Sequence, residues 1–140
     1  MDTDTLVKAR LEDGLTLLKE LPQHGFEPAA ACWLQRSYDG KWRFYMVSSL
    51  VETEGIDVAY MRLADAMRPI VDELSTIDLT SVRLLGATQP LGRDILAALH
   101  QMSTPRTRPF RWGGIWLGNY ALDNAYFYPL PTSNAVPEPR

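Results

Sequence analysis

Apolar residues fall at three- and four-residue spacing near the start of the chain: Val7, Leu11, Leu15 and Leu18, with Lys8, Glu12, Lys19 and Glu20 mostly on other faces. That period predicts a helix from about Leu6 to Leu21, capped by Thr3, Asp4 or Thr5 and stopped by Pro22. Gly14 interrupts the pattern, at a cost of about 1 kcal/mol relative to alanine. Either a neighbour packs closely against it or the helix simply tolerates it.

The period then shortens. Ala29 to Arg36 and Trp42 to Val51 read as strands joined through Ser37-Tyr38-Asp39-Gly40-Lys41. A two-residue Asp39-Gly40 turn would place Arg36 opposite Arg43, an unfavourable pairing of like charges. A three-residue loop with Gly40 left-handed pairs Arg36 with Trp42, Gln35 with Arg43 and Leu34 with Phe44, and is the expected register. One face then carries Cys32, Leu34, Phe44 and Met46, with Arg36 lying over Trp42. The other carries Trp33, Tyr45 and Val47. Both faces are apolar, so a sheet covered on both sides is predicted.

Past Glu52, Glu54 and Gly55, a helix is predicted from about Asp57 to Leu74, burying Tyr60, Leu63, Met67, Ile70, Val71 and Leu74. Arg62, Asp65, Arg68 and Asp72 form a charged ladder on its exposed side. Pro69 should kink or break it, because proline removes one helix hydrogen bond. Ser81 to Ala87 reads as a short strand, and Pro90 to Met102 as a helix capped by Thr88. Ser103 to Gly114 reads as a loop. Gly114 to Tyr120 and Ala125 to Tyr128 read as a second hairpin turning near Asp123-Asn124. Residues 129–140, with Pro129, Pro131, Pro137 and Pro139, are expected to be an extended or disordered tail.

The expectation is therefore a single α+β domain over 1–128. It has about five mostly antiparallel strands in one mixed sheet, two hairpins plus one crossover strand, packed by three helices in the order α-β-β-α-β-α-β-β.

Composition narrows the class. The chain has 140 residues, of which 46% are hydrophobic, 22% charged and 10% aromatic. That content argues against disorder, a coiled coil or a disulfide scaffold. No apolar run approaches the ~20 residues of a membrane span. The acidic Met1-Asp2-Thr3-Asp4 start is unlike a signal or transit peptide. A single cysteine, Cys32, fits a reducing compartment, so a cytoplasmic location is expected. The net charge of −3 is unevenly spread. Residues 1–80 hold 14 acidic and 8 basic side chains, whereas 81–140 hold 3 and 6. The first figure disfavours nucleic-acid coating by the whole surface; the second points to the C-terminal part.

Candidate chemistry is sparse. Two histidines, His24 and His100, and one cysteine do not make a metal site, and no cofactor is expected. There is no G-x-S-x-G elbow and no Cys–His pair, so no catalytic residue is nominated. Cys32 reads as a small buried hydrophobe. His100, near a helix C-terminus, is explained by the dipole. Gly86 to Asp94 links a strand to a helix but lacks the P-loop spacing and its Lys-Ser/Thr. It leaves a weak anion site at the helix start, with Thr88 and Arg93.

The most suggestive segment is Arg106-Thr-Arg108-Pro-Phe110-Arg111-Trp112, three arginines and two aromatics with no acid. Arginine beside aromatic rings suits phosphate clamping and base stacking, or the centre of a protein interface. It equally suits a core edge sealed by Phe and Trp under Arg stems. Tyr126 and Tyr128 share one strand face, an amphipathic surface or a core edge.

Ala31-Cys-Trp-Leu34, Gly40-Lys-Trp42-Arg-Phe-Tyr-Met-Val-Ser48, Gly55 with Ala59-Tyr60, and Asp123-Asn-Ala-Tyr-Phe-Tyr128 together resemble a group of small uncharacterised bacterial α+β proteins, over residues 28–128. The resemblance implies a bacterial α+β domain and carries no activity with it.

The leading reading is a non-enzymatic interaction protein that binds a protein partner or itself. Nucleic-acid or nucleotide binding through Arg106, Arg108, Phe110, Arg111 and Trp112 is the alternative. An enzyme acting on a phosphorylated small molecule near Thr88 and Arg93 is the third.

Overall fold

The first helix, α1 (Thr3–Glu20), buries Leu17 and ends where Pro22 cannot continue the hydrogen-bond ladder, and a tighter turn, Leu21–His24, completes it. Gly25 closes that turn with φ +91°, its N–H bonding the carbonyls of Leu21 and Pro22. The computed structural model describes residues 3–100, 110–117 and 120–128.

Two strands follow, β1 (Ala30–Arg36) and β2 (Trp42–Val47), then two helices, α2 (Leu50–Glu54) and α3 (Ile56–Met67). Strand β3 (Val82–Leu85), helix α4 (Pro90–His100) and the strands β4 (Phe110–Leu117) and β5 (Tyr120–Phe127) complete the described chain. The sheet runs β3-β2-β1-β5-β4, with β2–β3 its parallel contact and the other neighbours antiparallel.

The α+β class fits, but the expected inventory does not. Four α-helices, not three, pack this mixed sheet, with further 3-10 turns at Leu21–His24, Arg68–Glu73 and Leu79–Ser81. The additional helix, α2, is five residues long and has no buried side chain, so it leaves no amphipathic period to read. The long helix predicted from Asp57 to Leu74 ends at Met67, and the 3-10 turn from Arg68 contains Pro69.

Both sheet faces are covered. Ala31, Trp33, Phe44, Met46, Val82, Leu84 and Tyr128 lie in one core with Leu17 of α1 and Ala59 and Leu63 of α3. Cys32, Leu34, Tyr45, Val47, Ala125 and Phe127 lie in the other with Leu91, Ile95 and Leu99 of α4. This is why β1 and β2 read as nearly continuous apolar runs. The partition of side chains differs from the expected one, because the hairpin register is one residue away. Gln35 pairs with Trp42, Leu34 with Arg43 and Trp33 with Phe44. A one-residue slip exchanges faces, so Phe44 and Met46 join Trp33 rather than Cys32. The loop is set by Asp39, whose carboxylate accepts Lys41 N–H (3.0 Å) and both Arg43 amino groups (2.7 and 3.3 Å). Arg36 lies over Tyr38, 5.4 Å from the ring centre, and not over Trp42.

The second hairpin is also displaced. Leu117 pairs with Tyr120, so β5 runs through Asp123-Asn124, where the turn was expected. The segment 129–140 lies outside the described residues, as does the predicted extension of α4 to Met102.

Gly14 sits against Tyr128. A Cβ at residue 14 would lie 2.0 Å from the Tyr128 hydroxyl, which donates to Leu11 C=O (2.9 Å). Trp33 Nε1 donates to both Arg10 C=O (3.1 Å) and Tyr128 Oη (3.2 Å). The missing side chain thus lets the last described residue pack under the first helix. Burial raises the Tyr128 pKa, which keeps this hydroxyl a neutral donor.

Candidate functional site

The basic and aromatic segment divides. Arg106 and Arg108 lie outside the described residues. Phe110, Arg111 and Trp112 begin β4, where a loop was expected, and pair with Phe127, Tyr126 and Ala125. They therefore belong to a terminal strand of the sheet. Among the described residues no strand borders β4 on its far side. The opposite terminal strand, β3, has four residues against eight in β4. Sheets are commonly protected by short or charged edges, and β4 (FRWGGIWL) has one charge and no proline.

The helix start that was a candidate for an external anion is engaged by an internal one. Glu52 of α2 accepts from Thr88 N–H (2.9 Å) and the Thr88 hydroxyl (2.8 Å). These bonds, backbone first, hold the Glu52 carboxyl below its ordinary pKa. Thr88 does not cap α4 directly; the helix begins after Gln89, whose carbonyl accepts Arg93 N–H. Gly86 and Gly92 are packing glycines. A Cβ at Gly86 would meet Glu52 Oε2 at 2.2 Å, and one at Gly92 would meet the Gly86 carbonyl at 2.1 Å. Arg93 is exposed on α4.

Asp13 is the most heavily hydrogen-bonded buried carboxylate described. It accepts from the backbone N–H groups of Ser75, Thr76 and Ile77 and from the Thr76 hydroxyl (2.7 Å). Burial alone would raise its pKa, but the Thr76 hydroxyl and the three amides outweigh that and lower it. Cys32 is fully buried, and burial pushes its thiol pKa up, away from thiolate chemistry. His24 lies 4.0 Å from Glu20 in the adjoining turn. No group of three or more His, Cys, Asp and Glu with metal-binding geometry occurs among the described residues. Nor, among them, is any helix long and apolar enough to cross a membrane.

A groove of about 200 Å³ opens on the α1 side of the sheet. Trp33, Trp42 and Phe44 give it an aromatic lining, and Thr76, Thr80 and Ser81 contribute hydroxyls. Arg10 of α1 also lines it, as do Arg43 and Arg83, whose positions alternate toward the other sheet face with their cross-strand partners Leu34 and Tyr45. Arg10 lies 5.5 Å from the Trp33 ring centre, and burial lowers its pKa. Arg43 is held by Asp39 at 2.7 Å. Among the described residues neither Arg10 nor Arg83 reaches ion-pair distance of an acid. Each hydroxyl already donates: Thr76 to Asp13, and Thr80 and Ser81 to Asp78. The bonds from Thr80 and Ser81 hold Asp78 below its ordinary pKa. No local motif marks this groove, because Arg10, Trp42 and Ser81 meet only through the sheet order. Its one sequence signal is the tryptophan pair flanking the first turn.

Comparison of the chain with protein-family models, curated proteins and solved structures finds no match.

Proposed function

We propose that this chain is a small, non-enzymatic interaction protein of the cytoplasm, and that it binds a second copy of itself by adding strand to strand along β4. The supporting observation is the long outer edge of that strand, beside which no described strand lies. An exposed strand edge offers a row of backbone donors and acceptors to another chain, and a self-complementary patch closes naturally into a two-fold dimer.

The sequence of β4 suits such pairing. In a two-fold antiparallel arrangement centred on Gly113 or Gly114, the two Arg111 residues stand away from one another, which avoids facing like charges. Centring on Gly113 sets Phe110 opposite the partner's Trp116, and centring on Gly114 sets Trp112 there. Aromatic cross-strand pairs of this kind contribute roughly 0.2–1 kcal/mol each. The central glycines add no bulk where the chains meet. Cytoplasmic residence rests on the single, buried cysteine, and a bacterial source rests on the sequence resemblance.

Light scattering on a size-exclusion column tests the reading. The expected mass is twice 15.8 kDa at protein concentrations of about 100 µM, and Trp116→Lys, which places a charge on the edge strand at a position alternate to the buried Leu117, returns it to one chain with an unchanged circular dichroism spectrum. A wild-type chain that stays at one mass from about 1 to about 100 µM overturns self-association.

A further inference from the structure

We propose that the groove between α1 and the sheet is the docking site of the chain's own proline-rich segment 129–140, with Pro137 and Pro139 on the rings of Trp42 and Tyr126 and Glu138 on Arg10. The chain enters that segment beside the groove. Tyr128 meets Phe44 edge-on, with ring centres 6.1 Å apart, and its hydroxyl accepts from Trp33 Nε1 at 3.2 Å. Both Trp33 and Phe44 line the groove.

Reach comes first. Tyr128 N–H bonds Ala31 C=O, and Trp42 stands opposite Gln35, four residues further along β1 and one strand beyond it. At ordinary strand spacings Trp42 is therefore roughly 16 Å from Tyr128. The nine residues from Pro129 to Pro137 span up to ~28 Å as a polyproline helix, enough to turn at Ser133-Asn134 and come back.

The chemistry of the groove selects this occupant. Arg10, Trp33, Trp42 and Tyr126 enclose an apolar slot, in which Trp42 and Tyr126 are half-buried and tilted with ring centres 5.6 Å apart. Aromatic slots of this kind take proline rings, whose helix is preformed and costs little entropy to hold. Among the described residues nothing accepts from Trp42 Nε1. A proline carbonyl supplies that acceptor, and proline brings no N–H that an apolar slot would leave unpaired. Three residues make one turn of a polyproline helix, so Pro137, Glu138 and Pro139 lie on three different edges. With the two prolines against the sheet, Glu138 turns toward the α1 wall. Arg10 stands there, half-buried over Trp33 and without an acid partner among the described residues. Glu138 is the one acid of the segment. This site is separate from β4, so its failure leaves the self-association reading standing, and the reverse holds.

The test places a nitroxide spin label on the full-length chain at residue 140, through Arg140→Cys. Cys32 is fully buried and stays unlabelled, so the label sits at one position. In the nitrogen-15 spectrum the Trp42 indole N–H signal is expected to be lost and to return when ascorbate reduces the nitroxide. Amides of α4, which packs on the opposite face of the sheet, keep most of their intensity. In the labelled chain, Pro137→Ser with Pro139→Ser should restore the Trp42 signal, and Glu138→Gln should restore part of it. These substitutions fall outside the described core, and α4 resonances that stay in place report an intact fold. A Trp42 signal no weaker than those of α4 overturns the proposal, as does a loss that survives the proline substitutions. Mixing spin-labelled chains with nitrogen-15 chains that carry no label identifies the source of the segment. The Trp42 signal should stay intact there; its loss in that mixture assigns the groove to the segment of a second copy and overturns docking within one chain.

Discussion

Asp13 ties α1 to the turn between the end of the Arg68–Glu73 helix and β3, and it does so as an anion. Three consecutive amides, at Ser75, Thr76 and Ile77, converge on one carboxylate that is 3% exposed. Removing the charge leaves those buried donors facing a poorer acceptor, at about 2–3 kcal/mol. Asp13→Asn is therefore expected to lower the thermal midpoint by roughly 5–10 °C near neutral pH. The sign of the pH dependence follows from the lowered pKa. The stabilisation is fully present above the ordinary aspartate value near 3.8 and is lost as pH falls through the lower folded value. The gap between wild type and Asp13→Asn should close in acid below about pH 4 in thermal melts. A gap unchanged from pH 7 to 3 contradicts this role. Nothing in the sequence around Asp13 marked it, since its partners lie more than sixty residues away.

Elements in this protein are positioned by short polar devices more than by propensity. Glu52 is one: the short α2 is fastened to the start of α4 through Thr88. Glu52→Gln is expected to speed amide exchange at Thr88 and in the first turn of α4, while exchange in β1 stays unchanged. Because the carboxyl is held below its ordinary pKa of 4.5, the wild-type protection should persist above that value and fade as pH falls through the folded one. Equal Thr88 exchange in both proteins would remove Glu52 from this part. Asp39 is a second device. Alternating apolar residues made both strands of the first hairpin legible, and the Pro69 break and the two-sided burial were legible too. The register was not, because the bidentate Asp39–Arg43 pair and the Lys41 amide choose a longer loop than turn statistics favour. That contact holds the Asp39 carboxyl down at about 2. In the second hairpin the sequence points to a turn at Asp123-Asn124, and the Leu117–Tyr120 pairing instead carries β5 through those residues. The first half of β4, from Phe110 to Gly113, was hidden, since arginine and proline before Phe110 read locally as loop, whereas the strand from Gly114 onward was expected.

At the scale of the whole molecule, the sheet is asymmetric. Helices cover both its faces, yet one edge is a four-residue strand and the other an eight-residue strand. The sequence singled out Phe110, Arg111 and Trp112 for their chemistry, and the fold gives their backbone an edge position instead of a loop. The groove lined by Arg10, Trp42 and Ser81 had no comparable signature, because its residues converge only once β3 has crossed over to lie beside β2. Self-association along β4 is the central claim, and amide hydrogen exchange across residues 110–117 tests it most directly. On dilution from about 100 to about 1 µM, the amides of β4 that face away from β5 should lose protection while those of β1 keep theirs. Protection along β4 that does not change with concentration would contradict a strand-paired dimer.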